Sequence, residues 1–137
     1  EFAFGQHSGV IDLNKDKYEL PRFPINEKYG DLDRFNFLIK LLPLEYSKIY
    51  PENKFVLKKN NPPKIIIEFF NEQKNIDKIN CFSDEGQGWD KSNISFSENK
   101  LFINLREKFL SRRGRINCSL NDVNGWRWFG TQFSIEQ

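Results

Sequence analysis

His7 is the only histidine in the chain, so side chains that support metal or acid–base chemistry are scarce. Hydrolytic zinc sites usually take three protein ligands, most often with histidine among them. His7 could supply one ligand, but no His, Cys and Asp spacing matches a metal motif. A nucleophilic pair with Ser8 is disfavoured because neighbouring residues on a strand point to opposite faces. We therefore predict no metal site, and His7 as a hydrogen-bonded strand residue.

Three carboxylates, Asp84, Glu85 and Asp90, cluster around glycines and Trp89. Paired carboxylates can hydrolyse glycosides, and carboxylate-rich turns can bind Ca²⁺, although this spacing is not that of an EF-hand. Such a cluster is more often a solvated turn, which is the interpretation we prefer here.

The strongest charge feature is a basic cluster around a predicted loop at residues 110–114. A solvated turn is the simplest interpretation, and contact with an anionic polymer or a neighbouring domain is the alternative. The cluster consists of Arg106, Lys108, Arg112, Arg113 and Arg115.

The three tryptophans are candidates for carbohydrate binding, because planar aromatic rings stack on the apolar faces of sugars. Trp126 and Trp128 fall on one face of the same predicted strand, and Trp89 falls in a Gly-rich turn. In a small sandwich such a pair is more often part of the core, so both interpretations stay open. For Trp89 the turn position favours neither.

Composition sets limits on the class of protein. The 137 residues suit one domain, or a small domain with a piece of another, and the chain begins as if cut from a longer protein. A net charge of +2 gives no electrostatic signature of nucleic-acid binding. No apolar stretch reaches the roughly 18 residues that a membrane span requires.

Cys81 and Cys118 are the two cysteines of the chain, and both fall in strand-like segments. An even count permits one disulfide in a secreted chain. Two buried free thiols in a cytosolic chain are the alternative, and the sequence does not decide between them.

The elements that position these residues change in character along the chain. Residues 2–10 and 19–25 are predicted as extended segments joined by a turn at residues 12–16. A helix is predicted over residues 31–42, with Asp31 as its N-cap and Pro43 ending it. Its apolar positions share one face, which we expect to lie in the core; these positions are Leu32, Phe35, Leu38, Ile39 and Leu42.

A proline-rich connector is predicted at residues 43–63, and a period-two pattern begins at residue 64. Strands are predicted at residues 65–70, 76–82, 93–97, 100–105, 115–120 and 126–135. On the last strand one face carries Arg127, Phe129, Thr131, Phe133 and Ile135. Six strands with short turns favour a small antiparallel β-sandwich over residues 64–137.

Several segments, taken in order, resemble one family. The sequences FGQHSGV at residues 4–10, LPRFPI at 20–25 and NPP at 61–63 resemble the end of the catalytic domain in bacterial polysaccharide deacetylases of the NodB type. Residues 115–119 and 126–129, with Cys81 and Phe82, resemble the β domain appended to these proteins. The resemblance spans nearly the whole chain.

The resemblance implies a parent enzyme that removes acetyl groups from polysaccharides with a divalent metal such as zinc. It also implies a fold class that is mainly β: a remnant of a (β/α) deacetylase barrel at residues 1–42, then a small antiparallel β-sandwich. Arg22 matches the family's late Leu-Pro-Arg segment, so Arg22 and His7 become candidate catalytic residues. Simple pairing of Arg22 with a surface carboxylate is the alternative.

This chain departs from the family because the metal-binding motifs are absent. We therefore expect the C-terminal part of a periplasmic or secreted deacetylase, inactive alone, with no cofactor of its own. Its expected partners are a polysaccharide of acetylated amino sugars and the catalytic part of the same protein. A carbohydrate-binding module without enzymatic activity and a purely structural bracing domain are the alternatives.

Overall fold

The structure, a computed structural model, describes residues 1–13, 15–71 and 75–137. Within these residues the fold is mainly β, with one α-helix and two short 3₁₀ turns. The elements are α1 Leu32–Leu38, β1 Leu42–Pro43, β2 Lys48–Tyr50, β3 Phe55–Val56, β4 Ile65–Glu68, β5 Asn80–Asp84, β6 Trp89–Lys91, β7 Asn93–Ser97, β8 Lys100–Asn104, β9 Arg113–Asp122 and β10 Gly125–Ile135.

The strands form two sheets whose long neighbours are all antiparallel. In the first sheet the order is β1–β10–β9–β5–β6, and β3 also pairs with β10. In the second sheet the order is β2–β4–β8–β7. The short strands β1 and β3 run parallel to β10.

The inward faces of the two sheets share one hydrophobic core. Alternation along β10 turns Phe129, Thr131 and Phe133 inward, and the same alternation turns Ile116 and Cys118 of β9 inward. The full cluster joins both sheets and comprises Leu44, Val56, Ile65, Ile67, Phe69, Ile79, Cys81, Leu101, Ile103, Phe109, Ile116, Cys118, Leu120, Phe129, Phe133 and Ile135. This confirms a mainly β fold built from antiparallel sheets with a sandwich-like core.

The Cys81–Cys118 disulfide is present and links β5 to β9 at directly opposed positions. Both cysteines are fully buried within the shared core. The alternative of two free thiols is therefore wrong.

Residues 1–41 are called here the N-terminal segment, and its described part contacts the outer face of the first sheet at Gly130, Trp126 and Trp128. The two extended stretches predicted there meet in one parallel bridge, Phe4 to Leu20, rather than in full strands. The Ser8 carbonyl oxygen lies so close to Gly130 of β10 that an added Cβ would come within 1.6 Å. The absence of a side chain at Gly130 therefore lets the segment reach the sheet. Asn14, in the predicted turn at residues 12–16, lies outside the described residues.

The helix α1 is shorter and more exposed than predicted. The Asp31 carboxylate accepts a 2.8 Å hydrogen bond from the Arg34 N–H, which confirms the N-cap. The helix ends at Leu38, because Leu42 and Pro43 pair with β10 as β1. No α1 residue is buried, and Leu32 and Ile39 are largely exposed. The prediction that this apolar face lies in the core is wrong, since α1 packs on the outside of the first sheet.

Residues 43–63, predicted as a connector, contribute strands to both sheets. β1 and β3 extend the first sheet, and β2 pairs with β4 at the edge of the second. The division into residues 1–42, 43–63 and 64–137 stays a prediction about domain organisation. In the described part of the chain neither sheet closes into a barrel, and the barrel remnant likewise stays a prediction.

Candidate functional site

A groove of about 440 Å³ lies between the N-terminal segment and the outer face of the first sheet. It is called the Trp groove here, because two of the three tryptophans line it. Ligand pockets in proteins commonly enclose about 300–1,000 Å³. The lining residues are Ser8, Phe23, Pro24, Tyr29, Arg34, Phe37, Leu38, Phe82, Trp89, Arg115, Asn117 and Trp128.

Trp89 is the first residue of β6 and forms one end of the groove. Its side chain is 44% exposed, so much of the ring is open to solvent. The Arg115 guanidinium lies 5.3 Å from the Trp89 ring centroid, in a cation–π arrangement. Asp84 forms an ion pair with Arg115, which fixes the guanidinium against the ring. The indole is thereby held in place without being buried.

Trp128 lies on the outer face of β10 and is half-buried under the N-terminal segment. Phe23 meets it edge to face, with ring centroids 5.6 Å apart. Its indole N–H is buried and finds no acceptor among the described residues. Trp126 lies on the same face but outside the groove, 41% exposed and packed against Phe37. The core alternative that the sequence left open for Trp126 and Trp128 does not hold, because the core occupies the opposite face of β10.

The N-terminal segment supplies a second wall that is both aromatic and polar. Arg34 of α1 lies over the Tyr29 ring, 5.3 Å from its centroid. The Nε atom of Arg34 is buried and has no hydrogen-bond partner within the described ranges. Asn117 of β9 and Ser8 add neutral polar groups. Together these walls offer aromatic faces beside hydrogen-bonding groups.

A buried ionic network holds the loop at residues 85–88, which leads into Trp89 at the start of β6. Glu85 is only 1% exposed, and its carboxylate receives hydrogen bonds from Arg106 and from Ser83. Asp84 accepts from the amides of Gly86 and Gly88 as well as from Arg115. The interpretation of this cluster as a solvated turn is wrong for Asp84 and Glu85.

The network keeps both buried carboxylates ionised. Burial by itself would raise the pKa of Asp84, but hydrogen bonds from Arg115, Gly86 and Gly88 outweigh burial and bring that pKa below its usual 3.8. Burial would likewise raise the pKa of Glu85, and hydrogen bonds from Arg106 and Ser83 bring it below 4.5. Salt bridges to Arg115 and Arg106 therefore occupy these two carboxylates, and neither residue lines the groove.

The basic cluster does not form one continuous surface. Arg106 pairs with Glu85 and Asp90, and Arg113 donates to the Gln6 side chain. These contacts brace the loop at residues 85–90 and the N-terminal segment.

His7 and Arg22 are joined by a backbone hydrogen bond, and neither is among the residues that line the Trp groove. The Arg22 amide donates to the His7 carbonyl, and the Arg22 Nε donates to the Gly5 carbonyl at 3.2 Å. His7 is buried, and burial together with the nearby Lys54 lowers its pKa below the usual 6.5. Its Nδ1 makes no hydrogen bond to any described residue. The catalytic roles suggested for His7 and Arg22 stay predictions.

The described residues do not fit the metal that the resemblance implies for a parent enzyme. Within residues 1–13, 15–71 and 75–137, no group of three His, Cys, Asp or Glu side chains is arranged to hold an ion. Burial lowers the pKa of His7, as do Lys54 and Lys15, whereas the Glu19 carboxylate raises it.

Sequence reasoning missed Arg34, Tyr29, Arg115 and Asn117 as lining residues. For β9 the signal was present: Arg115 and Asn117 alternate with the buried Ile116, so they share the outer face with Trp128 of the adjacent strand. For Arg34 and Tyr29 no local signal existed, because their position depends on how the N-terminal segment docks.

Comparison with protein-family models, curated proteins and solved structures finds no match to this chain. The resemblance to polysaccharide deacetylases therefore rests on the sequence motifs alone. No helix in the described part of the chain is long and apolar enough to cross a membrane.

Proposed function

We propose that the chain binds carbohydrate in the Trp groove. One observation carries the proposal: Trp89 and Trp128, which come from β6 and β10, line the same groove although three strand pairings separate them. Aromatic rings at a partly open site provide flat apolar surfaces for sugar rings. Asn117, Ser8 and Tyr29 provide polar groups that can orient sugar hydroxyls.

The fixed position of the Trp89 ring supports this function. A ring fixed by Arg115 and Asp84 loses little side-chain entropy when a ligand stacks on it. The buried, unpartnered N–H of Trp128 is a donor that a ligand oxygen could satisfy. Both features suit a preformed binding site better than a bracing surface.

The proposal is tested by titrating the chain with acetylated and deacetylated glucosamine oligomers, following tryptophan fluorescence and binding heat. We expect saturable binding. Trp89→Ala and Trp128→Ala should each weaken it at least about tenfold, because each removes ring contact of about 1.5–3 kcal/mol.

Phe96→Ala is the control, since it removes an exposed aromatic ring from β7 of the second sheet, outside the groove, and it should leave the affinity unchanged. Circular dichroism on every variant separates lost binding from lost folding. A flat response of the folded wild-type chain to every oligomer would contradict the proposal and favour the bracing role.

A second candidate is the expected role as the C-terminal part of a polysaccharide deacetylase. The N-terminal segment favours it, because apolar side chains such as Phe2, Leu13 and Leu32 remain exposed, as in a surface that packs against further protein. A periplasmic or secreted location belongs to this proposal, and the disulfide supports it because disulfides persist in oxidising compartments. Acetate release measured with added Zn²⁺, Co²⁺ or Ni²⁺ should be absent for this chain alone. Clear turnover would contradict that expectation.

A further inference from the structure

We propose that the Trp groove selects saccharides that carry an anionic substituent, and that Arg34 binds this substituent. The inference rests on the proposed carbohydrate-binding function and narrows the class of ligand. A uronic-acid carboxylate and a sulfate ester share the relevant chemistry, which is a compact anion attached to a sugar ring.

The charged side chains that line the groove are all positive. Of the described residues that line it, two are arginines and none is acidic. Arg115 is already neutralised by its ion pair with Asp84. Arg34, by contrast, forms no ion pair with any described residue. The groove therefore presents one uncompensated positive charge beside its aromatic rings.

The surroundings of Arg34 prepare it to bind an anion. Its guanidinium lies over the Tyr29 ring, and its Nε is shielded from solvent without a hydrogen-bond partner in the described chain. A stacked guanidinium is partly immobilised, so forming paired hydrogen bonds with an anion costs less side-chain entropy. Arginine binds carboxylates and other oxyanions through two parallel N–H bonds.

Nearby acids do not remove this charge. Asp31 uses its carboxylate to cap the helix by accepting from the Arg34 backbone amide, not from the guanidinium. Asp33 lies in the first turn of α1 and is exposed. If Arg34 only packs on the Tyr29 ring, neutral and anionic ligands should bind with equal affinity. Ligand charge therefore distinguishes the two roles.

The test compares three sets of oligosaccharides of equal length with the whole chain: neutral, uronic-acid-containing and sulfated. Binding is measured by calorimetry at two salt concentrations. We expect at least one anionic set to bind more tightly than the neutral set, with an advantage that shrinks as salt rises. Which anionic set binds better identifies the preferred substituent.

Arg34→Gln should weaken binding of the preferred anionic oligomer roughly 10- to 100-fold, the range expected for loss of a charge-assisted hydrogen bond. It should leave neutral oligomers nearly unaffected. Arg34→Lys should retain part of the preference, because the charge remains but the paired geometry is lost. Arg112→Gln removes an equal charge from an exposed position outside the groove and should change nothing.

Equal affinity for neutral and anionic oligomers in the wild-type chain would overturn the inference while leaving the proposed function intact. A preference for anions that survives Arg34→Gln would overturn the assignment to Arg34. Failure of every oligomer to bind the folded chain would overturn both the inference and the proposed function.

Discussion

The two-sheet region, residues 42–137, and the N-terminal segment differ in how far their apolar side chains are buried. In the two-sheet region, inward positions on both sheets close over one core that includes Phe69, Phe133 and the disulfide. Among the described residues of the N-terminal segment, the buried apolar side chains are Leu20, Pro21 and Leu41. Phe2, Phe4, Ile11, Leu13 and most of α1 remain exposed.

This difference indicates that the two-sheet region holds the fold and the N-terminal segment is attached to it. Contacts between the two regions include Ser8 against Gly130, Phe23 against Trp128, and the Lys54–Glu19 ion pair. The Trp groove lies at the junction of the two regions. Trp89 and Trp128 line the groove from the two-sheet region. Arg34 and Tyr29 line it from the N-terminal segment.

The largest expected difference is between two substitutions to alanine, one in each region. Phe133→Ala removes a fully buried ring and should lower the free energy of unfolding by about 3–5 kcal/mol. Leu13→Ala removes a fully exposed side chain and should change it by less than about 0.5 kcal/mol. Urea denaturation followed by circular dichroism measures both. A large cost for Leu13→Ala would show that the N-terminal segment has a buried role that the structure does not give it.

The disulfide sharpens the same comparison. Replacing Cys81 and Cys118 together by Ala should destabilise the two-sheet region by about 3–4 kcal/mol, because the bond closes a loop of 37 residues. Urea denaturation of the double variant, with the wild-type chain in reductant alongside it, measures the loss. Equal urea midpoints for the double variant and the reduced wild-type chain would assign the loss of stability to the disulfide. A double variant with the midpoint of the oxidised wild-type chain would contradict the prediction.

Adding a methyl group at Gly130 should separate the two regions. Gly130→Ala places a Cβ against the Ser8 carbonyl, and overpacking of this kind costs about 1–3 kcal/mol. We expect faster hydrogen exchange at the amides of Gly5, Leu20 and Arg22, while amides of β9 stay protected.

Ser134→Thr adds a methyl group at an exposed position on the same strand and serves as the control. It should leave exchange in the N-terminal segment unchanged. Uniformly faster exchange in Gly130→Ala, including β9, would mean that the two regions unfold as one unit.

The last prediction concerns stability at acidic pH. The pKa values of Asp84 and Glu85 lie below their ordinary values in the folded chain, so both stabilise it above pH 3.8 and 4.5. That stabilisation is lost as pH falls below these values. Glu85→Gln should cost about 1–3 kcal/mol at pH 7, and the difference from wild type should narrow as pH falls below about 4.

Urea denaturation across pH 3–7 measures this difference, with the exposed Glu107→Gln as control. A gap between wild type and Glu85→Gln that stays constant with pH would contradict the ionic role of Glu85.

The strands that alternate strongly could be predicted from the sequence, because burial on one face imposes period two. On β10 this held from Phe129 to Ile135, and β4 and β8 followed the same rule. β6 was missed because its three residues are all exposed and give no alternation. The apolar face of α1 was misassigned because helical periodicity shows that a face exists, not that another element covers it.

The Trp groove could be predicted only in part, because it is assembled from distant segments. The outward direction of Trp128 follows from strand alternation. The meeting of Trp128 with Trp89 depends on the strand order β10–β9–β5–β6, which no local pattern contains. The position of Arg34 depends on how the N-terminal segment docks on Gly130.

The most direct test of carbohydrate binding in the Trp groove is to follow the chemical shifts of the backbone amides and of the indole N–H groups of the whole chain during titration with an oligosaccharide. We expect the largest changes at Trp89, Asn117 and the indole N–H of Trp128, with little change around the separate cavity at residues 51–64. Changes centred on that other cavity, or a spectrum that does not respond to any oligosaccharide, would contradict the account.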